Sequence, residues 1–356
     1  MPSGETVLGE PDLALIHALQ LVPRASWTQL SAVLGAGPDT LARRWDHLTA
    51  GGYAWNGFLI RHQGRAAPLY AWVEVDCAAG RSEETAIALS GDPYTLGVHE
   101  VTGDTDLVLL VLCPDLAALD SYLSLRVQRL PGVTRSRTQL VTGVHSARNL
   151  WQLDQLTPRQ ARQLLGPTVP AQGGQGAKRA PRRRPRQLTE LDENLVLELA
   201  GDARRSAAEL ARICGASEST VRRRLDALTA GDLLIHHCVP APRFSGRPVW
   251  ALIRADVPSL AVVSTAAAMA RLRQTRLVTS VTGGHKLIVG AWLRSVGELH
   301  DITTTMERAA PALRITGTTL SLRTHKSGAQ VLGPDGRRLH HVRPDLHAPL
   351  GQDRLV

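Results

Sequence analysis

Ser217, Glu218, Ser219 and Thr220, followed by Arg222 and Arg223, are the residues of this 356-residue chain whose types and spacing suggest the clearest chemistry. Small hydroxyl side chains at the start of a helix reach phosphates and base edges, and a guanidinium one turn on can read guanine through two hydrogen bonds. Thr40, Arg43 and Arg44 form a second set 180 positions earlier, with Gly37-Pro38-Asp39 standing where the later set has Ser217-Glu218-Ser219. The plainer reading of either set is a solvated Arg face on a three-helix core.

Histidine and cysteine offer less. His236-His237-Cys238 and His340-His341 are adjacent groups whose side chains point in different directions along a strand. His99 and His285 lie beside β-rich runs, and Cys77, Cys113, Cys214 and Cys238 lack C-x-x-C spacing, as expected of reduced thiols. No phosphate-binding Gly-rich loop, metal-spaced cluster or nucleophile elbow is present, so the expectation is a protein that is not an enzyme and uses no cofactor or metal.

The elements that must carry the Arg sets are written twice. Residues 12–140 and 192–320 align without a gap: Leu48-Thr-Ala-Gly51 meets Leu228-Thr-Ala-Gly231, Val101-Thr-Gly103 meets Val281-Thr-Gly283, and Pro131 meets Pro311. Such a period is far beyond the roughly 20–50 residues of a solenoid unit, so each copy is domain-sized. In the second copy Thr189 caps a helix bearing Leu191, Leu195, Val196 and Leu199, which Gly201 ends, and Ser206-Ala-Ala-Glu209 is a capping box opening a second, stopped by Gly215. Ser217 caps a third, whose Val221, Leu225 and Leu228 share one face while Glu218, Ser219, Arg222, Arg223 and Asp226 lie mostly away from it. Two helices about a Gly turn predict a helix-turn-helix, followed by a wing strand over Leu233–Val239.

Beyond it the pattern is βαββαβ: strands over Pro248–Ala255, Arg276–Thr282, Lys286–Leu293 and Arg314–Arg323, with helices over Ala261–Leu272 and Val296–Ala309. The first copy repeats this from Leu69 to Thr142. The fold class is α+β, a tandem repeat of a winged helix-turn-helix and a ferredoxin-like domain of the dimeric α+β barrel type, with sheet facing sheet. The expected domains are 8–62 (first head), 68–145 (first βαββαβ domain), 150–187 (basic linker), 188–244 (second head), 247–325 (second βαββαβ domain) and 326–356 (flexible tail).

A hydrophobic fraction of 43% is globular, and the longest apolar run, Leu107–Cys113, is far short of the roughly 20 residues a bilayer needs. With no leader-like opening, the expectation is a cytoplasmic, nucleoid-associated protein that does not engage a membrane. Of the net charge of +9, eight positive charges fall between Asp154 and Glu190, where no acidic residue occurs. Arg182, Arg183, Arg184 and Arg186 in this stretch are candidates for tracking a nucleic-acid backbone.

Leu191-Asp-Glu193, Glu209-Leu-Ala-Arg212, Ser217–Leu225 and Val281-Thr-Gly283, in this order, resemble the Lrp/AsnC family of bacterial transcription regulators. The resemblance implies a partner in double-stranded DNA, a small-molecule effector such as an amino acid, and homo-oligomers built here from intrachain pseudo-dimers. It places effector binding at the turn after Val-Thr-Gly: Gly103, Asp104 and Asp106 in the first copy, Gly283 and Gly284 in the second. The family favours an acidic residue where Asp106 stands; Lys286 in the second copy reverses that charge, which makes the first copy the better candidate. Ordinary turn chemistry also accounts for Asp104 and Asp106. Two alternatives stay open: a nucleoid-architectural binder with weak specificity, and a siroheme-decarboxylase-like enzyme on the same architecture, although the expected His-Asn-Tyr-type strand motif is missing.

Overall fold

A computed structural model describes residues 8–60, 68–147, 153–166, 189–230, 234–328 and 330–342. The chain divides into two compact units, and each takes matching pieces of both copies: Met1–Ala66 with Gln152–Pro240, and Ala67–Trp151 with Ala241–Val356.

The first unit holds both heads. α1 (Glu10–Leu21), α2 (Trp27–Leu34) and α3 (Pro38–Ala50) form one; α7 (Glu190–Gly201), α8 (Ala207–Cys214) and α9 (Glu218–Ala230) form the other. Thr189 caps α7 reciprocally with Asp192, as the sequence predicts. Ser206 caps α8 by accepting from the Glu209 amide, but Glu209 leans toward Arg205 at 3.7 Å, so only half of the expected box forms. Leu15, Leu19, Leu30 and Leu48 are wholly buried in the first head, as are Leu195, Leu199 and Leu210 in the second. Truncating any one of them to Ala costs about 2–5 kcal/mol.

The run expected as a wing is β6 (Leu234–Pro240), and its partner is β1 (Ala54–Ile60) of the other head. The strands pair antiparallel with Gly57 opposite His237, corresponding positions of the two copies, so the ribbon lies across a pseudo-two-fold axis. A lone strand presents unpaired backbone groups, and its own duplicate satisfies them. Residues 153–166, expected within a basic linker, are ordered in this unit and include α6 (Pro158–Leu165).

In the second unit the first copy supplies β2 (Leu69–Cys77), α4 (Ser82–Ser90), β3 (Thr95–Val101), β4 (Leu107–Cys113), α5 (Leu116–Leu125) and β5 (Val133–Ala147). The second supplies β7 (Val249–Asp256), α10 (Val262–Met269), β8 (Thr275–Val281), β9 (Leu287–Leu293), α11 (Glu298–Ala309) and β10 (Arg314–Ser327). Both have the strand order of a ferredoxin-like sheet, β5-β2-β4-β3 and β10-β7-β9-β8.

β5 and β10 run beyond the expected ends at Thr142 and Arg323, and each crosses to the other copy: β5 pairs with β8, β10 with β3. The eight strands thereby close into a ring. Alternate residues of β2 face opposite ways, Ala71, Val73 and Val75 under their own helices and Trp72 inward. Trp72, Val101 and Val108 meet Trp250, Leu252, Val281 and Ile288 in a core shared by both copies.

Of the segment expected as a flexible tail, residues 326 and 327 continue β10, and β11 (Gln330–Leu332) with β12 (Arg338–His341) adds a hairpin to its end. Residues 343–356 lie outside the described residues. No helix among the described residues is long and apolar enough to cross a membrane.

Candidate nucleic-acid interface and effector turn

α9 presents the second Arg set. The Ser217 hydroxyl accepts from the Thr220 amide at 3.2 Å and donates to Thr220 Oγ1 at 2.8 Å, so these hydroxyls build the cap. Ser217, Glu218, Ser219, Arg222 and Arg223 are exposed and Thr220 is half-buried. Arg222 is drawn back along the helix to Glu218, with Nε 3.0 Å from the carboxylate. Arg223, on the adjoining face, is exposed.

On α3, Thr40 and Arg43 are exposed, whereas Arg44 turns inward and binds Asp12 of α1 at 2.6 Å. Arg224 repeats this with Asp192 at 3.6 Å. The side chain of Arg44 thus ties its helix to the head. The coincidence of Asp12 with Asp192 and Arg44 with Arg224 at the repeat spacing was the sequence signal for it. Arg182, Arg183, Arg184 and Arg186 lie outside the described residues.

Reciprocal arginines join the heads. Arg24 donates to the carbonyls of Ala203 (2.6 Å) and Arg205 (3.1 Å), and Arg204, its counterpart, donates to those of Pro23 (2.7 Å) and Ala25 (3.0 Å). Arg204 also lies 4.4 Å over the Trp27 ring. Burial lowers the pKa of both guanidiniums, partly offset by the Asp202 carboxylate.

In the second unit the Val-Thr-Gly turns meet the strands that cross between copies. The Thr102 amide donates to the Leu320 carbonyl (2.9 Å) and the Leu320 amide to Thr102 Oγ1 (3.1 Å); Thr282 and Leu140 repeat both bonds at 2.9 Å. Gly103 and Gly283, at φ of 104° and 98°, adopt a conformation other residues rarely take. Gly103 and Asp104 are exposed, as are Gly283 and Gly284.

Asp106 is half-buried, and its carboxylate accepts from the Cys77 amide at 2.6 Å, bracing its own turn. Beside it is a charged network that sequence reasoning missed. Arg137 grips Asp76 through two bonds of 2.7 and 2.8 Å and Glu74 at 3.2 Å, and its Nη2 lies 3.5 Å from the Asp104 carbonyl. The Arg137 hydrogen bond lowers the Asp76 pKa. Glu74 also binds Arg254, which donates to Thr319 Oγ1 at 2.7 Å. Only the β2–β5 register reveals that Glu74 faces Arg137.

The second turn differs. Gly317 stands at the position of Arg137, His285 pairs with Thr316 at 2.8 Å, and Lys286 reaches Ser259 at 3.5 Å. Burial, followed by the Arg254 charge, lowers the His285 pKa. His99 is enclosed, stacked on Trp250 with ring centres 3.9 Å apart, and burial lowers its pKa to about 3.

Against known proteins, the model of the Lrp/AsnC ligand binding domain matches residues 70–150 and that of the AsnC-type helix-turn-helix domain residues 188–229. An uncharacterized HTH-type transcriptional regulator of Pyrococcus furiosus is 31% identical over 115 residues, 32% of this chain and 78% of that protein. The chain belongs to the Lrp/AsnC family. The HTH-type transcriptional regulator FL11 of Pyrococcus horikoshii is 27% identical over 139 residues, 39% of this chain and 91% of its own length. Both relatives are archaeal, so the family is not confined to bacteria, and each spans about one of the two modules in this Lrp/AsnC chain. Among solved structures the siroheme decarboxylase NirDL covers 90% of this chain and 93% of its own at a TM-score of 0.54 and 16% identity, a likeness of fold alone.

Proposed function

We propose that this Lrp/AsnC protein is a sequence-specific DNA-binding transcriptional regulator that acts by binding and not by catalysis. The observation that carries this is the joining of two helix-turn-helix heads about a pseudo-two-fold axis, with Arg43 and Arg223 on matching exposed helix faces. Each head reads one half-site, and because α3 begins Pro38-Asp39 where α9 begins Glu218-Ser219, the half-sites are unequal. Its place of action is the chromosome.

The effector turn of the first copy, with the exposed Asp104 beside the Arg137 network of Glu74 and Asp76, is the candidate for a small molecule carrying an ammonium group, such as an amino acid. The second turn, with His285 and Lys286, has the opposite charge character. A thermal-shift screen of amino acids tests this, and Asp104→Asn should abolish any shift found.

The decisive experiment selects bound fragments from the DNA of the host and measures affinity for the recovered site and for random DNA. The expected preference is at least about a thousandfold. Arg223→Ala should weaken the specific complex by about 1–3 kcal/mol and random DNA far less. A preference near unity indicates an architectural binder. Retention and turnover of a tetrapyrrole by the purified protein would overturn the regulator reading in favour of an enzyme.

A further inference from the structure

Among the described residues, the first head carries a helix with no counterpart in the second. The positions corresponding to α6 begin at Arg338, where the second copy forms strand β12. α6 starts at the Thr157-Pro-Arg-Gln160 capping box, and the segment leading into it is fastened to the head at several points. Leu153 and Leu156 are buried; the Leu153 amide donates to Gln20 at 2.8 Å, and those of Gln155 and Leu156 donate to His17 Nδ1 at 3.0 Å each. Gln160 and Gln163, one turn apart, donate to the Val33 and Ala32 carbonyls at 3.1 and 3.2 Å. Both carbonyls belong to the last turn of α2, which ends at Leu34. Arg159 and Arg162, also one turn apart, are exposed.

We propose that Arg159 and Arg162 of α6 form a phosphate-binding extension of the first head and grip the DNA backbone beside α3. The proposal rests on the DNA-binding reading above. In a helix-turn-helix the first helix of the motif crosses the backbone while the second enters the major groove. α2 is that first helix, and α6 is fastened along its C-terminal turn, so two guanidiniums on α6 stand beside the phosphates that α2 crosses. The charges of the reading helices supply the need. α3 exposes one arginine, Arg43, against two carboxylates, Asp39 and Asp46, whereas α9 exposes two, Arg222 and Arg223, against Glu218 and Asp226. The reading helix of the first head therefore carries one exposed cation fewer than that of the second. α6 restores cations on that side and adds no base-reading group.

Phosphate contacts raise affinity for all sequences alike and steepen its salt dependence. In the full-length chain, Arg159→Ala with Arg162→Ala should reduce the slope of log affinity against log salt by about 1.8, the value for two lost phosphate contacts. Affinity near physiological salt should fall by roughly tenfold on the selected site and on random DNA equally. Arg159→Glu with Arg162→Glu should lower both further. Both side chains are exposed, so an unchanged melting temperature is expected and serves as the fold control. Salt-dependent binding by the parent protein with the same slope in both variants overturns this inference and leaves the regulator reading intact. Failure of the parent to bind DNA at any salt overturns both.

Discussion

Glu74 and Arg254 occupy the same position of the two copies, 180 residues apart, and they bind each other. In a pair of identical modules this position would bring together two carboxylates or two guanidiniums. With side chains only 18% and 10% exposed, such a like-charge pair is costly, and divergence has replaced it with attraction. Glu74 also accepts from Arg137, so its loss leaves two guanidiniums facing each other. Glu74→Gln should cost roughly 3 kcal/mol of stability and Arg254→Gln somewhat less. The double variant should lose less than the sum, with a coupling of about 1–3 kcal/mol in denaturant titrations. Strict additivity would show that the pair does not hold the copies together.

Helix caps and apolar faces were legible because their signals are local: Thr189 with Asp192, Gly215, and the Val221-Leu225-Leu228 face stand where the sequence places them. The partners of β6 and the overrunning ends of β5 and β10 were not, since each pairs with residues of the other copy. Charge and proline content hid α6 inside a basic connector, although Thr157 and Gln160 already spelled a cap. Of the candidate site, the exposed Arg223 and Arg43 followed from helical spacing, while the grip of Arg137 on Asp76 needed the strand register. The docking of α6 also has a pH signature. His17 Nδ1 accepts two amide protons, so the ring is neutral at that nitrogen; burial lowers its pKa from the ordinary 6.5 to about 4, with Asp154 opposing. Between these values the unfolded chain binds the extra proton, so the contribution of His17 is complete above pH 6.5 and is lost as pH falls toward 4. Melting temperatures from pH 7 to 4.5 should fall less steeply for His17→Gln, which still accepts a hydrogen bond but does not titrate. Parallel curves would remove His17 from the acid response.

Fusion of two modules makes their pairing independent of concentration and lets each half change alone. In the heads that pairing rests on the β1–β6 ribbon, on α1 packed against β6 and α7 against β1, and on the four bonds that Arg24 and Arg204 exchange. Side chains clasping backbone carbonyls on both sides of an axis fix the separation and rotation of α3 and α9, and with them the spacing of the half-sites. Inserting two base pairs between half-sites rotates one against the other by about 70°, given about 10.5 base pairs per turn. The parent protein should therefore bind the lengthened operator at least about tenfold more weakly, the loss expected when one major-groove contact fails. Arg24→Ala with Arg204→Ala leaves the ribbon but frees the heads to turn about it, so this variant should bind the original operator less tightly and lose much less on lengthening. Gel-shift titrations on both operators read this directly, and an equal penalty in parent and variant would mean that the ribbon alone sets the spacing.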